Sequence, residues 1–222
     1  MDAAAWLLLK ETLMVVTIAW AFITCLRIPH RTGTLYAPLA WLLGLALLVE
    51  SVGTWMSYHG RNNGFIYNFY MLLEYSMLLW IIWRYRPAWR APLQLAWLIG
   101  SGTWLGNLLL RGDMAFFFTA TYVVMCFLLA GCCLLLLWHL ADRSTRPLHQ
   151  VPEFWLFLGL MLYTGAMAPL IGPLEQLYGT YPDLTRNLYV IISVLGYQRY
   201  VLAAVACMLV RREQIRWGIH ER

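Results

Sequence analysis

The feature that most limits what this chain can fold into is the gathering of its apolar residues into runs of about twenty, the length an α-helix needs to cross roughly 30 Å of hydrocarbon at about 1.5 Å per residue. Strands closing into a membrane barrel would alternate apolar and polar letters, whereas a run such as CCLLLLW, residues 132–138, is apolar on both faces. The runs therefore predict spanning helices. Composition agrees: 61% of the 222 residues are hydrophobic and 12% charged, about half the charged share of a soluble domain.

Seven spans are predicted, at about 5–28, 35–58, 65–85, 91–110, 115–140, 154–171 and 187–210, separated by turn and charge clusters at Pro29, RPAWRAP, RGD, DRSTRP and GPLEQLYGTYPD. This is the pattern of an all-α integral membrane bundle of seven transmembrane helices, with one domain covering residues 1–222. The start MDAAAWLLLKE lacks the basic start and small-residue cleavage site of a secretory signal, and carries Lys10 and Glu11 after its apolar letters, so no cleavage is expected. All five cysteines, Cys25, Cys126, Cys132, Cys133 and Cys207, fall within apolar runs, which implies neither a disulfide framework nor a zinc motif.

Short basic loops stay in the cytoplasm. The first, third and fifth loops and the tail hold Arg27, Arg31, Arg84, Arg86, Arg90, Arg143, Arg146, Arg211, Arg212, Arg216 and Arg222. The other side has Lys10, Arg61, Arg111 and Arg186. The N-terminus is thus expected outside and the C-terminus in the cytoplasm. The net charge of +5 is explained by a basic face on anionic lipid, without a nucleic-acid partner. Trp6, Tyr36, Trp55, Tyr58, Tyr67, Trp138, Tyr178, Tyr181 and Tyr189 lie near predicted helix ends and read as interfacial belts. The tail RREQIRWGIHER reads as a short amphipathic helix lying on the inner leaflet.

Three charges fall deep in predicted spans: Glu50 in LLVESVG, Glu74 in MLLEYSM and Arg199 in LGYQRYVL. A central charge costs about 2.5–3.5 kcal/mol on insertion scales, so such residues face the bundle interior and are paired, hydrated or neutralised. Helical spacing gives each a face. Asn63, Tyr67, Tyr70 and Glu74 form one stripe; Glu50, Gly53, Thr54 and Ser57 form a second; Ile192, Gly196, Arg199, Ala203 and Ala206 form a third, with Gln198 beside it. Arg199 can grip a carboxylate with two hydrogen bonds. One arginine cannot neutralise two glutamates, so the other is left to a proton, water, or tyrosine and asparagine donors. Asn62, Asn107, Arg111, Asp113, Glu175, Gln176, Asp183 and Asn187 gather towards the outer side, consistent with a crevice open there. A purely structural staple between helices remains the alternative.

Two further features invite a functional or a structural reading. Pro169 and Pro173 mark either a hinge in the sixth span or simply its end. Gly102 and Gly106 read as a small-residue packing seam.

Lys10 is the chain's one lysine, which excludes a retinal Schiff base deep in the last helix, and no HExxH motif occurs. No catalytic residue, metal ligand or cofactor is indicated. Glu50 and Glu74 as a hydrolytic carboxylate pair is a minority reading.

The segments NNGFIYNFYMLLEYSMLLW, PEFWLFLGLMLYTGA and LLVESVG resemble a group of uncharacterised seven-helix inner-membrane proteins of Bacteroidetes, loosely similar to membrane modules that precede sensor histidine kinases. The resemblance implies a sensory membrane module. With nothing following Arg222, a signal is expected to need a separate cytoplasmic or membrane partner. The expectation is a receptor- or sensor-like protein with an outward-facing pocket for a small ligand, formed from Glu50, Glu74, Arg199, Tyr67, Tyr70, Asn63, Ser57 and Gln198. The alternatives are a proton-coupled transporter, an intramembrane hydrolase and a structural membrane subunit.

Overall fold

A computed structural model describes residues 3–29, 34–111, 114, 116–173, 177 and 182–220, the side chains of 3–9, 111, 182–187 and 217–220 excepted. Long helices account for most of them: α1 Ala3–Leu26, α2 Tyr36–Tyr58, α3 Gly64–Tyr85, α4 Arg90–Arg111, α5 Thr119–Arg143, α6 Pro152–Ile171 and α7 Pro182–His220. Short 3-10 turns at Pro87–Trp89 and Leu148–Gln150 lead into α4 and α6, and the described residues contain no strand.

Proline sets several of the breaks. Its Cδ pushes the preceding residue out of the helical region. Arg86, ahead of Pro87, has φ −132° and ψ 80°, which ends α3 at Tyr85. Val151 has φ −88° and ψ 116° ahead of Pro152, which then opens α6 where a missing N–H costs nothing. The α2–α3 turn is made on Gly60, at φ 65°, the one described residue in the left-handed region.

Each helix packs on the next, and α7 returns to α1, so the seven close a ring. Cross-helix hydrogen bonds fix the antiparallel register. The Tyr75 hydroxyl on α3 donates to the Ala96 carbonyl on α4 over 2.6 Å. Trp104 Nε1 on α4 donates to the Asn68 carbonyl on α3 over 2.9 Å. The Tyr197 hydroxyl on α7 donates to the Lys10 carbonyl on α1 over 2.8 Å. The α2–α3, α4–α5 and α6–α7 connections thus gather at one end, here the Gly60 end, and the others at the Pro87 end.

Five helices, α2, α3, α5, α6 and α7, are long and apolar enough to cross a membrane, which marks a multi-pass membrane protein. α4 is diluted by Gly100, Ser101, Gly102, Thr103, Gly106 and Asn107. The outer face of the ring agrees: Trp41, Leu48, Leu98, Phe127, Leu135 and Val194 are all exposed, an apolar surface too extensive for water and suited to lipid.

Several sequence expectations are corrected. The tail is no separate helix: α7 runs unbroken through His220, so its 39 residues extend about 58 Å at the helical rise. α5 opens at Thr119 instead of 115, because the residues ahead of it are tied to α3 (below). Pro169 sits in the last turn of α6, two residues before the helix ends at Ile171, so it marks a terminus and not a hinge. The small-residue seam lies elsewhere. A Cβ at Gly102 or Gly106 would meet nothing within 4 Å, whereas one at Gly100 would fall 2.8 Å from Tyr75 Cζ.

Candidate functional site

Among the described residues, the ring is filled by packed leucines towards the Pro87 end and is open towards the Gly60 end. There a cavity of about 670 Å³ descends from Phe116, Ile171 and Tyr189 to Glu74 and Arg199, a volume within the range of small-molecule sites. Five helices build its walls by periodicity. α3 contributes Tyr67, Tyr70 and Glu74 at positions i, i+3 and i+7; α5 contributes Thr119 and Tyr122 at i and i+3; α6 contributes Tyr163, Met167 and Ile171 at i, i+4 and i+8; α7 contributes Ile192 and Arg199; α2 contributes Glu50.

Arg199 is the hub. Its Nη1 lies 2.8 Å from Glu74 Oε1, with the two side chains 9% and 12% exposed, so this is a buried ion pair. Nη2 donates to the Tyr200 hydroxyl. The guanidinium carbon sits 4.0 Å from the ring centre of Tyr163 and 4.5 Å from that of Tyr200, between two π faces. Nε finds no acceptor among the described residues. Glu74 Oε1 also accepts from the Tyr70 hydroxyl at 3.2 Å, and the Tyr122 and Tyr163 hydroxyls share a 2.9 Å hydrogen bond that fixes the Tyr163 ring. Coulomb attraction at such depth repays desolvation only with good geometry and further hydrogen bonds; the tyrosines supply both.

Glu50 is treated differently. Its Oε2 accepts from the Tyr67 hydroxyl at 3.1 Å, and among the described residues it has no cation within ion-pair distance. The Tyr67 ring reaches it because α2 has no side chain at Gly53, where a Cβ would fall 2.9 Å from Tyr67 Cζ. Of the two carboxylates, Glu74 therefore takes the arginine and Glu50 takes a tyrosine.

A smaller chamber of about 240 Å³ adjoins the main one. It shares Glu50, Tyr67, Tyr163, Ile192 and Arg199 with it, and adds Lys10, Glu11, Thr54, Ser57 and Gly196. Lys10 and Glu11 thus border a polar chamber, with Lys10 Nζ 6.0 Å from the Tyr189 ring centre.

The expected site residues divide accordingly. Glu50, Glu74, Arg199, Tyr67 and Tyr70 line the main cavity and Ser57 the smaller one. Asn63 lines neither; its Nδ2 donates to the Gly53 carbonyl at 3.3 Å and to Ser57 Oγ at 3.0 Å, tying α2 to α3. Gln198 also lines neither, and its buried amide atoms have no partner among the described residues. Of the polar residues expected at an outer crevice, Asn107 hydrogen-bonds Thr121 between α4 and α5, and Asn62 Oδ1 accepts from the Gly64 N–H at 2.7 Å. Asp113, Glu175 and Gln176 lie outside the described residues, as do the side chains of Arg111, Asp183 and Asn187. Within the expected aromatic belts, Tyr67 and Tyr189 line the cavity instead of anchoring to headgroups. Tyr178 and Tyr181, and the Trp6 side chain, lie outside the described residues.

Sequence reasoning missed four contributors. Tyr163 and Tyr200 stand deep within α6 and α7, and a hydroxyl far from a helix end needs a polar partner. That depth was the available signal. Phe116 lines the mouth, and Asn68, fully buried, fixes it there: Nδ2 donates to the Met114 and Phe116 carbonyls at 3.1 and 2.8 Å, and Oδ1 accepts from the Phe118 N–H at 3.0 Å.

Towards the Pro87 end, Leu39, Leu42, Leu43, Leu78, Leu156 and Leu160 leave a gap of about 30 Å³ around the Arg199 side chain, room for a water or two and no more. Among the described residues no group of three His, Cys, Asp or Glu side chains is placed to hold a metal. No family model, no curated protein and no solved structure matches the chain.

Proposed function

We propose that the chain is a receptor- or sensor-like protein of a bacterial inner membrane that crosses the bilayer seven times and binds a small organic ligand in the cavity above Glu74 and Arg199. The observation that carries this reading is the cavity's asymmetry among the described residues: it is open at the Gly60 end, and plugged beyond Arg199 by a leucine layer. A blind, tyrosine-lined pocket is suited to recognition, with Glu50, Glu74, Arg199, Tyr67 and Tyr70 as its polar groups. The excess of arginine at the Pro87 end supports placing that end in the cytoplasm and the mouth outside.

α7 carries both Arg199 and the segment with exposed Arg211, Arg212 and Arg216. A displacement of Arg199 by ligand thus moves one continuous element that ends where a cytoplasmic signalling partner would dock. Glu74 is committed to Arg199, which leaves no matched carboxylate pair for hydrolysis.

The experiment is thermal-shift screening of small solutes in lipid nanodiscs, with wild type and Met167→Trp side by side, the indole adding bulk to the cavity wall one turn above Tyr163. Compounds that stabilise wild type and leave Met167→Trp unshifted are expected. Stabilisers that act equally on both would contradict the reading.

A carrier is the second reading, favoured by one observation. A vestibule of about 370 Å³ lined by Tyr36, Arg84, Tyr85, Glu153 and Glu213 lies at the Pro87 end between α2, α3, α6 and α7, the same helices that hold Glu50, Glu74, Tyr163 and Arg199. Uptake into proteoliposomes that is lost in Glu74→Gln would favour the carrier; binding without uptake favours the receptor.

A further inference from the structure

Among the described residues, the charges facing the main cavity are Glu50, Glu74 and Arg199. Glu74 and Arg199 neutralise each other at 2.8 Å. The adjoining chamber adds Lys10 and Glu11, consecutive residues of opposite sign. What remains is one carboxylate, Glu50. Tyr67 is its only hydrogen-bond donor among the described residues, bound to Oε2, so Oε1 is free to accept from a ligand. An isolated carboxylate at this depth is costly, and a bound cation would relieve that cost.

The walls decide what kind of cation. Of the two carboxylates at the main cavity, Glu74 is spent on Arg199, and among the described residues no group of three His, Cys, Asp or Glu side chains is placed to hold a metal ion. The surroundings are instead aromatic and apolar: Tyr70, Phe116, Phe117, Tyr122, Tyr189 and Met167 all face the space. Ring faces attract an ammonium group through their quadrupole, and attract it more strongly where water is excluded. An anion would have to evict Glu74 from Arg199 and then lie beside Glu50.

We propose that the cavity is selective for an amphipathic organic amine, whose ammonium group donates to Glu50 Oε1 and whose apolar body lies among the aromatic side chains of the mouth. This rests on the reading of the cavity as a ligand site and adds to it the ligand's charge and shape. The polar head sits deep, at the junction of the two chambers, and the body points to the Gly60 end.

The test uses three probes with the same phenylethyl body on the intact chain in nanodiscs: cationic 2-phenylethylamine, neutral 2-phenylethanol and anionic 3-phenylpropanoate, each titrated calorimetrically against wild type, Glu50→Gln and Met167→Trp. The amine is expected to bind wild type tightest of the three. In Glu50→Gln its affinity relative to the alcohol is expected to fall about ten-fold, the value of one charge-assisted hydrogen bond. Equal binding of amine, alcohol and anion to wild type, or an unchanged amine-to-alcohol ratio in Glu50→Gln, overturns the amine selectivity while leaving the cavity a ligand site. Absence of saturable binding by all three probes, or binding undiminished in Met167→Trp, overturns both.

Discussion

Arg199 on α7 holds Glu74 on α3 at 2.8 Å inside the ring, while Glu50, which lines the same cavity from α2, is left to the Tyr67 hydroxyl. The two glutamates therefore have different sensitivities to mutation.

Removing one partner of the buried pair strands the other, 9% or 12% exposed, without its counter-charge. Arg199→Met and Glu74→Leu are each expected to lose about 3–5 kcal/mol of stability. The double variant Glu74→Leu/Arg199→Met strands no charge and is expected to recover more than half of either loss, read as melting temperature in nanodiscs. For comparison, Arg146 and Glu213 at the Pro87 end lie 3.1 Å apart but are 58% and 38% exposed; Glu213→Gln is expected to change stability by no more than about 0.5 kcal/mol.

Glu50→Gln keeps an acceptor for the Tyr67 hydroxyl and removes an unpaired charge, so its melting temperature is expected to equal or exceed that of wild type. Tyr67→Phe removes the donor and is expected to cost about 0.5–1.5 kcal/mol. A Glu50→Gln variant as unstable as Arg199→Met would show that Glu50 belongs to the ion-pair network after all.

Gly100 and Gly102 lie two residues apart on α4 but face different surroundings. Gly100→Ala drives a methyl into the Tyr75 ring and is expected to destabilise by about 1–3 kcal/mol. Gly102→Ala meets open space and is expected to be neutral or to stabilise by up to about 1 kcal/mol through helix propensity. Thermal unfolding of the pair separates them.

Asn68 places the mouth of the cavity. Asn68→Ala removes the side-chain hydrogen bonds to Met114, Phe116 and Phe118. Hydrogen exchange at the Phe118 amide is expected to quicken, while exchange in the middle of α6 and α7 stays at wild-type rates. Unchanged protection at Phe118 would contradict Asn68 as the tether.

Helix positions were legible in the sequence because apolar run length and proline breaks act locally: α3 ends at Tyr85, ahead of Pro87, where expected, and α6 opens at Pro152, two residues ahead of the expected 154. Depth was legible too, so Glu50, Glu74 and Arg199 were recognised together. Which glutamate pairs with Arg199 was not, because periodicity assigns a face on one helix and says nothing of how neighbouring helices are rotated. The seam glycine was missed for the same reason, since only the position of Tyr75 distinguishes Gly100 from Gly102. Asn68 looked like an ordinary polar letter at a helix start; its role depends on a loop nearly fifty residues further along the chain.

The most direct test of a cavity open at the Gly60 end and carrying one uncompensated negative charge needs no ligand. Ile192, which lines both chambers, is replaced in Ile192→Cys, and intact cells are treated with a trimethylammonium or a sulfonate methanethiosulfonate reagent, each rate normalised to that with a free thiol and corrected for the parent protein. Modification by the cationic reagent is expected to be several-fold faster than by the anionic one, and the difference is expected to disappear in Ile192→Cys/Glu50→Gln. No modification from outside, or faster reaction with the anion, would contradict it.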